Sequence, residues 1–189
     1  FLLPGVLVST SDSVGVPPDQ AAAVAAAPAL SRDLVFAPTS CSEYLGFTHS
    51  LPPVDDPLVR RSLSAAIDRQ AMVQQAATGG LPANTFAPSM IFGSAAGDPA
   101  IAPWALAEAQ GGWGYAQALA QAQAWLAEAG YPGGKGLPPL TLLHNAADGP
   151  ARTAQVVAAM WRDGLGIEVA VESLPWPEYE SLLAGGGLG

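Results

Sequence analysis

Residues that could perform acid–base or metal chemistry are few in this sequence and do not cluster. The two histidines, His49 and His144, are too isolated for a histidine-built metal site, so we interpret them as surface or loop-edge residues. The neighbouring carboxylates Asp55 and Asp56 could suit general acid–base catalysis, but Asp56 stands directly before Pro57, a pattern typical of a helix N-cap. We therefore expect no catalytic residue, no metal site and no cofactor, and we predict that the protein is not an enzyme.

The motifs for a serine nucleophile, a phosphate loop and a reactive cysteine are equally weak. No serine lies in the Gly-x-Ser-x-Gly motif that presents a nucleophile in hydrolases. The glycine-rich Gly111-Gly112-Trp113-Gly114 lacks a preceding strand and the Lys-Ser/Thr pair of a phosphate loop, which argues against nucleotide binding. The single cysteine, Cys41, excludes a disulfide framework and has no obvious cationic neighbour to activate it.

The tryptophans are more suggestive of ligand binding. Five are present, and Trp104, Trp113 and Trp176 lie in predicted loops next to glycine or proline. A tryptophan in a loop can serve as a stacking platform for a ligand, while packing in the core is the alternative for each. We take Trp113 and Trp176 as candidate ligand-binding residues.

Composition restricts the class of protein further. The chain has 189 residues, is 50% apolar and 12% charged, and carries a formal net charge of −9. This balance excludes a disordered chain, and the acidic charge argues against a nucleic-acid partner. The 21 glycines and 18 prolines separate periodic segments, as expected for a folded domain with many turns.

The first half of the sequence predicts one strong helix. It begins at Asp56-Pro57, carries an apolar stripe that includes Val59, Leu63 and Ile67, and ends at the Gly-Gly pair at 79–80. Weaker patterns predict a helix at 20–27 and short strands at 33–37 and 43–48.

The second half predicts an alternation of strands and helices. Residues 81–114 hold four prolines and are expected to contain short helical turns near 104–109, before a helix at 115–129. A strand at 140–144, a helix at 150–163 and a strand at 167–172 then follow, with a last helix at 178–183. This order favours a right-handed crossover and parallel pairing, which is the α/β class.

Several ordered motifs resemble the family 5 extracellular solute-binding proteins, the oligopeptide-, dipeptide- and nickel-binding components of ABC importers. They are Tyr-Leu-Gly-Phe-Thr at 44–48, Asp-Pro-Leu-Val-Arg-Arg-Ser-Leu-Ser-Ala-Ala-Ile-Asp-Arg at 56–69, Ala-Glu-Ala-Gly-Tyr-Pro-Gly-Gly-Lys-Gly at 127–136, and Met-Trp-Arg-Asp-Gly-Leu-Gly-Ile at 160–167. The sequence departs from the family pattern at Thr48, where asparagine is usual, and at Ser62, where alanine is usual.

The resemblance implies a periplasmic-binding-protein-like lobe, with a mixed, mostly parallel sheet flanked by helices. Residues 1–189 would form part of the C-terminal lobe (lobe II) of a two-lobed protein, whose first lobe lies outside this sequence. A peptide or other small solute would be held in the cleft between the lobes and delivered to the membrane permease of an ABC importer. The location implied is the periplasm or the cell exterior, with lipid anchoring of the whole protein as a further option.

The resemblance also points to ligand-contacting residues. The family's loop after the strand at 140–144 faces the cleft, which here implies that Asn145 and Asp148 hydrogen-bond the main chain or termini of a peptide. The alternative is that both residues only cap the helix at Pro150. Arg60, Asp68 and Arg69 in the signature helix are expected to be structural, with an ion pair between Asp68 and Arg69 or Arg61. A second hypothesis for the whole chain is a solute-binding lobe reused as a non-transport sensor or interaction module.

Overall fold

The computed structural model describes residues 2–3, 6–7, 23–33, 41–76 and 80–184. In chain order the strands and helices are β1 (Leu2–Leu3), β2 (Val6–Leu7), α1 (Pro57–Ala65), α2 (Arg69–Ala76), α3 (Gly114–Glu128), β3 (Leu140–Asn145), α4 (Asp148–Leu165), β4 (Val169–Leu174) and α5 (Trp176–Ala184). Within these described ranges, 3₁₀ turns lie at Ser31–Asp33, Pro103–Ala105, Glu108–Gln110 and Pro132–Gly134. The turns expected near 104–109 are thus confirmed, and residues 23–26 of the predicted 20–27 helix are helical.

Two small sheets account for the strands of the described residues. β1 and β2 form a short antiparallel pair. β3 and β4 are parallel, with the register running from Leu140 opposite Val169 to Asn145 opposite Leu174, and α4 is the connection between them. The predicted parallel β-α-β unit and the α/β class are confirmed.

The start of α1 follows from its first two residues. The carboxylate of Asp56 accepts a hydrogen bond of 2.7 Å from the backbone N–H of Leu58, which satisfies one of the free donors at the helix start. Pro57 occupies the first helical position, where a missing N–H costs nothing.

The prediction of one helix from residue 57 to the Gly-Gly pair at 79–80 is wrong, because the structure divides this segment into α1 and α2. The carboxylate of Asp68 accepts a hydrogen bond of 3.0 Å from the backbone N–H of Ala71 and caps the new helix. The guanidinium of Arg69 donates to the carbonyls of Ser64 and Ile67, at 3.1 and 3.3 Å, across the break. Burial lowers the pKa of Arg69 to about 10.

Those contacts also overturn the expected ion pair of Asp68. In the described part of the chain, the ion pair within 4.0 Å joins Arg162 and Asp163, both well exposed. Asp68 and Arg69 each serve the backbone at the helix break instead, so the structural role expected of them is correct and the pairing is not.

The two strands predicted in the first half of the sequence, at 33–37 and 43–48, are not observed in the described residues. Residues 43–48 have no regular secondary structure, so that prediction is wrong. The strand predicted at 33–37 falls, apart from Asp33, outside the described residues, and Asp33 itself ends a 3₁₀ turn.

The hydrophobic core lies between α1, α3, α4 and β3. Its buried side chains are Val59, Leu63, Ala65, Ala66, Ile67, Ala122, Leu126, Leu142, Ala154, Val157, Trp161, Leu165 and Ile167. Two buried hydrogen bonds connect the helices within it: the Ser62 hydroxyl donates to the Ala122 carbonyl, and the Trp161 indole donates to the Leu63 carbonyl, each at 2.8 Å. α1, α3 and α4 thereby form one rigid support for the sheet.

The second strand of the sheet is less buried than its alternating pattern predicts. Ile167 is buried as expected, but Val169 is half-buried and Val171 is 36% exposed. All residues from 170 to 173 are exposed, so β4 lies at an open side of the described structure.

Candidate ligand site at the carboxyl ends of the parallel strands

The carboxyl ends of β3 and β4 meet at one edge of the sheet. Asn145 and Leu174, the last residues of the two strands, are paired in register. The backbone N–H of Ala146 donates a hydrogen bond of 2.7 Å to the Leu174 carbonyl, which extends the pairing by one residue. In open α/β sheets, ligands bind outside the carboxyl ends of the strands. We call the residues at this edge, 144–149 and 173–179, the carboxyl edge.

Asn145 and Asp148 both lie at the carboxyl edge, on the short connection from β3 into α4. The residue that caps α4 is Ala147, in an extended conformation with φ −144° and ψ 151°, and no side chain completes the cap. The prediction that Asn145 and Asp148 merely cap the helix is therefore wrong, because α4 begins at Asp148 itself. Asn145 is half-buried and Asp148 is exposed, so their polar groups are available at the edge.

Trp176 reaches the same edge from the other strand. It follows Leu174 by two residues and is the first residue of α5, which packs near β3. Its side chain is 56% exposed, and its ring lies 6.1 Å from that of Tyr179 with an interplanar angle of 40°. The pair presents a broad aromatic surface beside the strand ends.

Trp113, the fourth candidate, belongs to a different place in the fold. Its ring lies 6.0 Å from the rings of both Trp104 and Trp125, and these two rings pack edge to face at 5.4 Å. The Trp104 indole N–H donates to the hydroxyl of Ser64 at 3.1 Å, which ties the cluster to α1. The structure thus brings Asn145, Asp148 and Trp176 together at one edge and places Trp113 in an aromatic cluster beside α1 and α3.

Two polar residues of the carboxyl edge were not identified from the sequence. His144 and Ser173 are register partners one step before the strand ends, and a ring nitrogen of His144 lies 2.8 Å from the Asn145 carbonyl. His144 is half-buried within β3 and is not a loop-edge residue. The signal that could have found both residues is their position at the end of a parallel strand, but this requires the register to be known.

A second concave region lies away from the sheet, between α2, α3 and α4. Its volume is about 330 Å³, and it is lined by apolar side chains together with Asp68, Gln75, Tyr115 and Asp163. Burial raises the pKa of Tyr115, and the negative charges of Asp68 and Asp163 raise it further. The three groups therefore face one another across the groove.

The described residues were searched for clusters of metal ligands and for helices that could span a membrane. None of their His, Cys, Asp and Glu side chains form a group of three or more that could hold a metal ion. None of their helices combines the length and the apolar character that crossing a bilayer requires.

Comparison with known proteins identifies relatives that bind peptides and one, the probable deoxycholate-binding periplasmic protein YgiS of Escherichia coli, that is named for another ligand. Residues 9–188 match the family described as bacterial extracellular solute-binding proteins, family 5 middle. The chain is 33% identical over 137 residues to the periplasmic murein peptide-binding protein MppA of Escherichia coli, covering 72% of this chain and 24% of that protein. It is 30% identical over 145 residues to the periplasmic oligopeptide-binding protein OppA of Salmonella typhimurium, covering 75% of this chain and 24% of that protein.

Solved structures agree with the sequence matches. The unliganded open form of MppA superposes with a TM-score of 0.61 at 31% identity, over 74% of this chain and 26% of that one. Haemophilus influenzae OppA, in complex with the peptide RPPGFSPFR, superposes with a TM-score of 0.62 at 22% identity, over 90% of this chain and 32% of that one, which shows a shared fold. The chain spans about a quarter of the length of the curated relatives it matches. The match over residues 9–188 shows that this chain belongs to the bacterial extracellular solute-binding proteins of family 5.

Proposed function

We propose that this chain is part of the second lobe of a two-lobed protein that binds a peptide for uptake by an ABC importer. The ligand lies in the cleft between this lobe and a first lobe outside the sequence, and the closed protein delivers it to the membrane permease. The protein acts in the periplasm and binds its solute without changing it. The family match and the peptide-binding relatives support this proposal.

The observation that carries the proposal is the convergence of three candidate residues at the carboxyl edge. Asn145 and Asp148 follow β3, Trp176 follows β4, and the register pair of Asn145 and Leu174 fixes the two connections side by side. Such a combination of amide, carboxylate and exposed aromatic groups suits a peptide, because its main chain offers donors and acceptors and its side chains offer apolar surface.

We assign roles at this edge by chemistry. The Asn145 amide can both donate to and accept from a peptide backbone, since it carries an N–H₂ group and a carbonyl. The Asp148 carboxylate accepts hydrogen bonds only, as from the peptide N–H groups or its amino terminus. Trp176 supplies the apolar surface. Trp113 is assigned to structural packing with Trp104 and Trp125 and not to ligand contact.

The experiment that tests the proposal is native mass spectrometry of the whole protein that contains this chain, purified without denaturation. We expect an added mass that fragments as a peptide, and release of that mass on unfolding. A protein that carries no bound solute, and that gives no heat on titration with a mixture of di- to pentapeptides, would contradict the proposal.

A further inference from the structure

Exposed apolar side chains gather in two loop segments, residues 41–53 and 81–101. In the described part of the chain, nine of the thirteen large apolar side chains that are exposed belong to these segments. Leu81 is 81% exposed, Phe86 is 70% exposed and Phe92 is fully exposed. We call the surface of the two segments the loop face.

The two segments of the loop face pack against each other. The rings of Tyr44 and Phe86 meet edge to face at 5.0 Å, with an interplanar angle of 70°. The hydroxyl of Ser42 donates a hydrogen bond of 2.6 Å to the Phe86 carbonyl. The exposed groups therefore form one surface, and a continuous apolar surface, unlike single exposed residues, marks a region of contact with another molecule or segment.

The polar side chains of the loop face are used within it. The Asn84 amide donates to the carbonyls of Asp98 and Ile101, at 3.1 and 2.9 Å. The Ser94 hydroxyl donates to the Ala87 carbonyl at 2.7 Å. These bonds hold a segment that has no helix or strand of its own, and what the loop face presents outward is mainly apolar. It offers few hydrogen-bonding groups to a peptide ligand, which needs them along its main chain.

The loop face also carries little charge. Residues 41–53 and 81–101 contain two acidic residues, Glu43 and Asp98, and no lysine or arginine. Interfaces that form permanently are more apolar than those that form and separate, and charged residues are depleted at their centre. A large apolar interface also opposes relative motion of the parts that it joins. These properties favour a contact that stays closed.

The relatives indicate what supplies the other side of this contact. The chain spans 24% of the length of MppA and 24% of that of Salmonella OppA, so about three quarters of a protein of that size lies outside this sequence. We infer that the loop face is a permanent interface with another part of the same polypeptide, covered whether or not a solute is bound. The inference goes beyond the proposed function, since it concerns residues outside the carboxyl edge and holds for any solute.

Thiol labelling of the whole protein tests whether the loop face is covered. Cys41 belongs to the loop face, is free and exposed, and serves as the native probe. N-ethylmaleimide is added to native and to guanidinium-unfolded protein, and peptide mass spectrometry gives the labelling rate of this residue. We expect the native rate to be at least about tenfold below the unfolded rate, with and without Ala-Ala-Ala, because a covered thiol reacts only when the structure opens locally.

Two introduced cysteines in a Cys41→Ser background provide the comparison. Phe92→Cys probes the loop face, and Ala127→Cys is the matched control, because Ala127 is exposed on α3 and lies outside the loop face. The ratio of native to unfolded labelling rate should be at least about tenfold lower for Phe92→Cys than for Ala127→Cys. The measurement at Cys41 decides the question if Phe92→Cys does not fold.

The outcomes separate this inference from the proposed function. Equal ratios for Phe92→Cys and Ala127→Cys, with rapid labelling of Cys41, overturn the inference, since the loop face is then open in the whole protein. Protection that requires Ala-Ala-Ala assigns the cover to the ligand, and protection that weakens on dilution assigns it to a second copy, so either result also overturns it. Each of these results leaves the proposed function standing if the peptide still binds. Protection in a protein that binds no peptide overturns the proposed function alone.

Discussion

The indole N–H of Trp161, on α4, donates a hydrogen bond of 2.8 Å to the carbonyl of Leu63, on α1. This carbonyl lies in the last turn of α1, where carbonyls lose their helical partners, so the tryptophan satisfies an acceptor that the helix leaves free. Both side chains are buried, at 5% and 1% exposure. The bond holds the β-α-β unit against α1.

Replacing Trp161 should therefore destabilise the fold strongly. We expect Trp161→Phe to lower the free energy of unfolding by about 2–4 kcal/mol, since it removes ring volume from the core and leaves a buried carbonyl unpaired. Chemical denaturation of the whole protein measures this change. Trp176→Phe, at an exposed tryptophan, should change the same quantity by less than about 0.5 kcal/mol. Equal effects of the two substitutions would contradict this account of the core.

Gly166 is needed where α4 turns toward β4. Its φ is +71°, and a Cβ built on it would lie 2.7 Å from the carbonyl oxygen of Gly133. We expect Gly166→Ala to cost about 1–3 kcal/mol through backbone strain and this collision. Gly149→Ala serves as the control, because Gly149 lies in α4 with open space around its Cβ, and should be neutral or stabilising by up to about 1 kcal/mol. If thermal unfolding shows the same shift for both variants, the close approach at Gly166 has no energetic role.

The ionisation of Tyr115 should lower the stability of the fold at alkaline pH. Its pKa is raised above the ordinary value of 10.0, first by burial and then by the charges of Asp68 and Asp163. A group whose pKa is higher in the folded state than in the unfolded state contributes stability below pH 10. This contribution is lost as the pH rises through the pKa of the folded state.

The absorbance of tyrosinate at 295 nm, taken as the difference between wild type and Tyr115→Phe, should isolate this titration. We expect its midpoint above 10.0. Asp163→Asn should move it downward, because it removes one of the two negative charges that oppose ionisation. A midpoint at or below the ordinary tyrosine value, unaffected by Asp163→Asn, would show that these groups do not face one another.

Much of this fold follows from local patterns in the sequence. The start of α1 is predictable from the Asp56-Pro57 pair, and α3 and the β3-α4-β4 order are predictable from their apolar period and from the glycines that follow the two helices. The break between α1 and α2 is not visible in the apolar period, because both helices carry apolar residues at compatible spacing. Asp68 was its one signal, since an aspartate that precedes a helical turn can cap it as well as pair with a neighbouring arginine.

The candidate site depends on information that is not local. Asn145, Asp148 and Trp176 were identified from the family resemblance and from loop position, yet their proximity follows only from the register of β3 and β4. The place of Trp113 also depends on contacts that are not local. Its glycine neighbours suggest an exposed loop, but its ring packs against Trp104 and Trp125, a contact between segments that no spacing rule predicts.

The affinity of the Trp176→Ala variant tests most directly whether the carboxyl edge contacts the ligand. Titration calorimetry of the whole protein with Ala-Ala-Ala should show binding weakened by about tenfold or more, because the exposed ring supplies the apolar surface of the site. Trp113→Phe should keep the wild-type affinity, since its ring belongs to the aromatic cluster. An unchanged affinity for Trp176→Ala, with loss of binding in Trp113→Phe, would contradict the account.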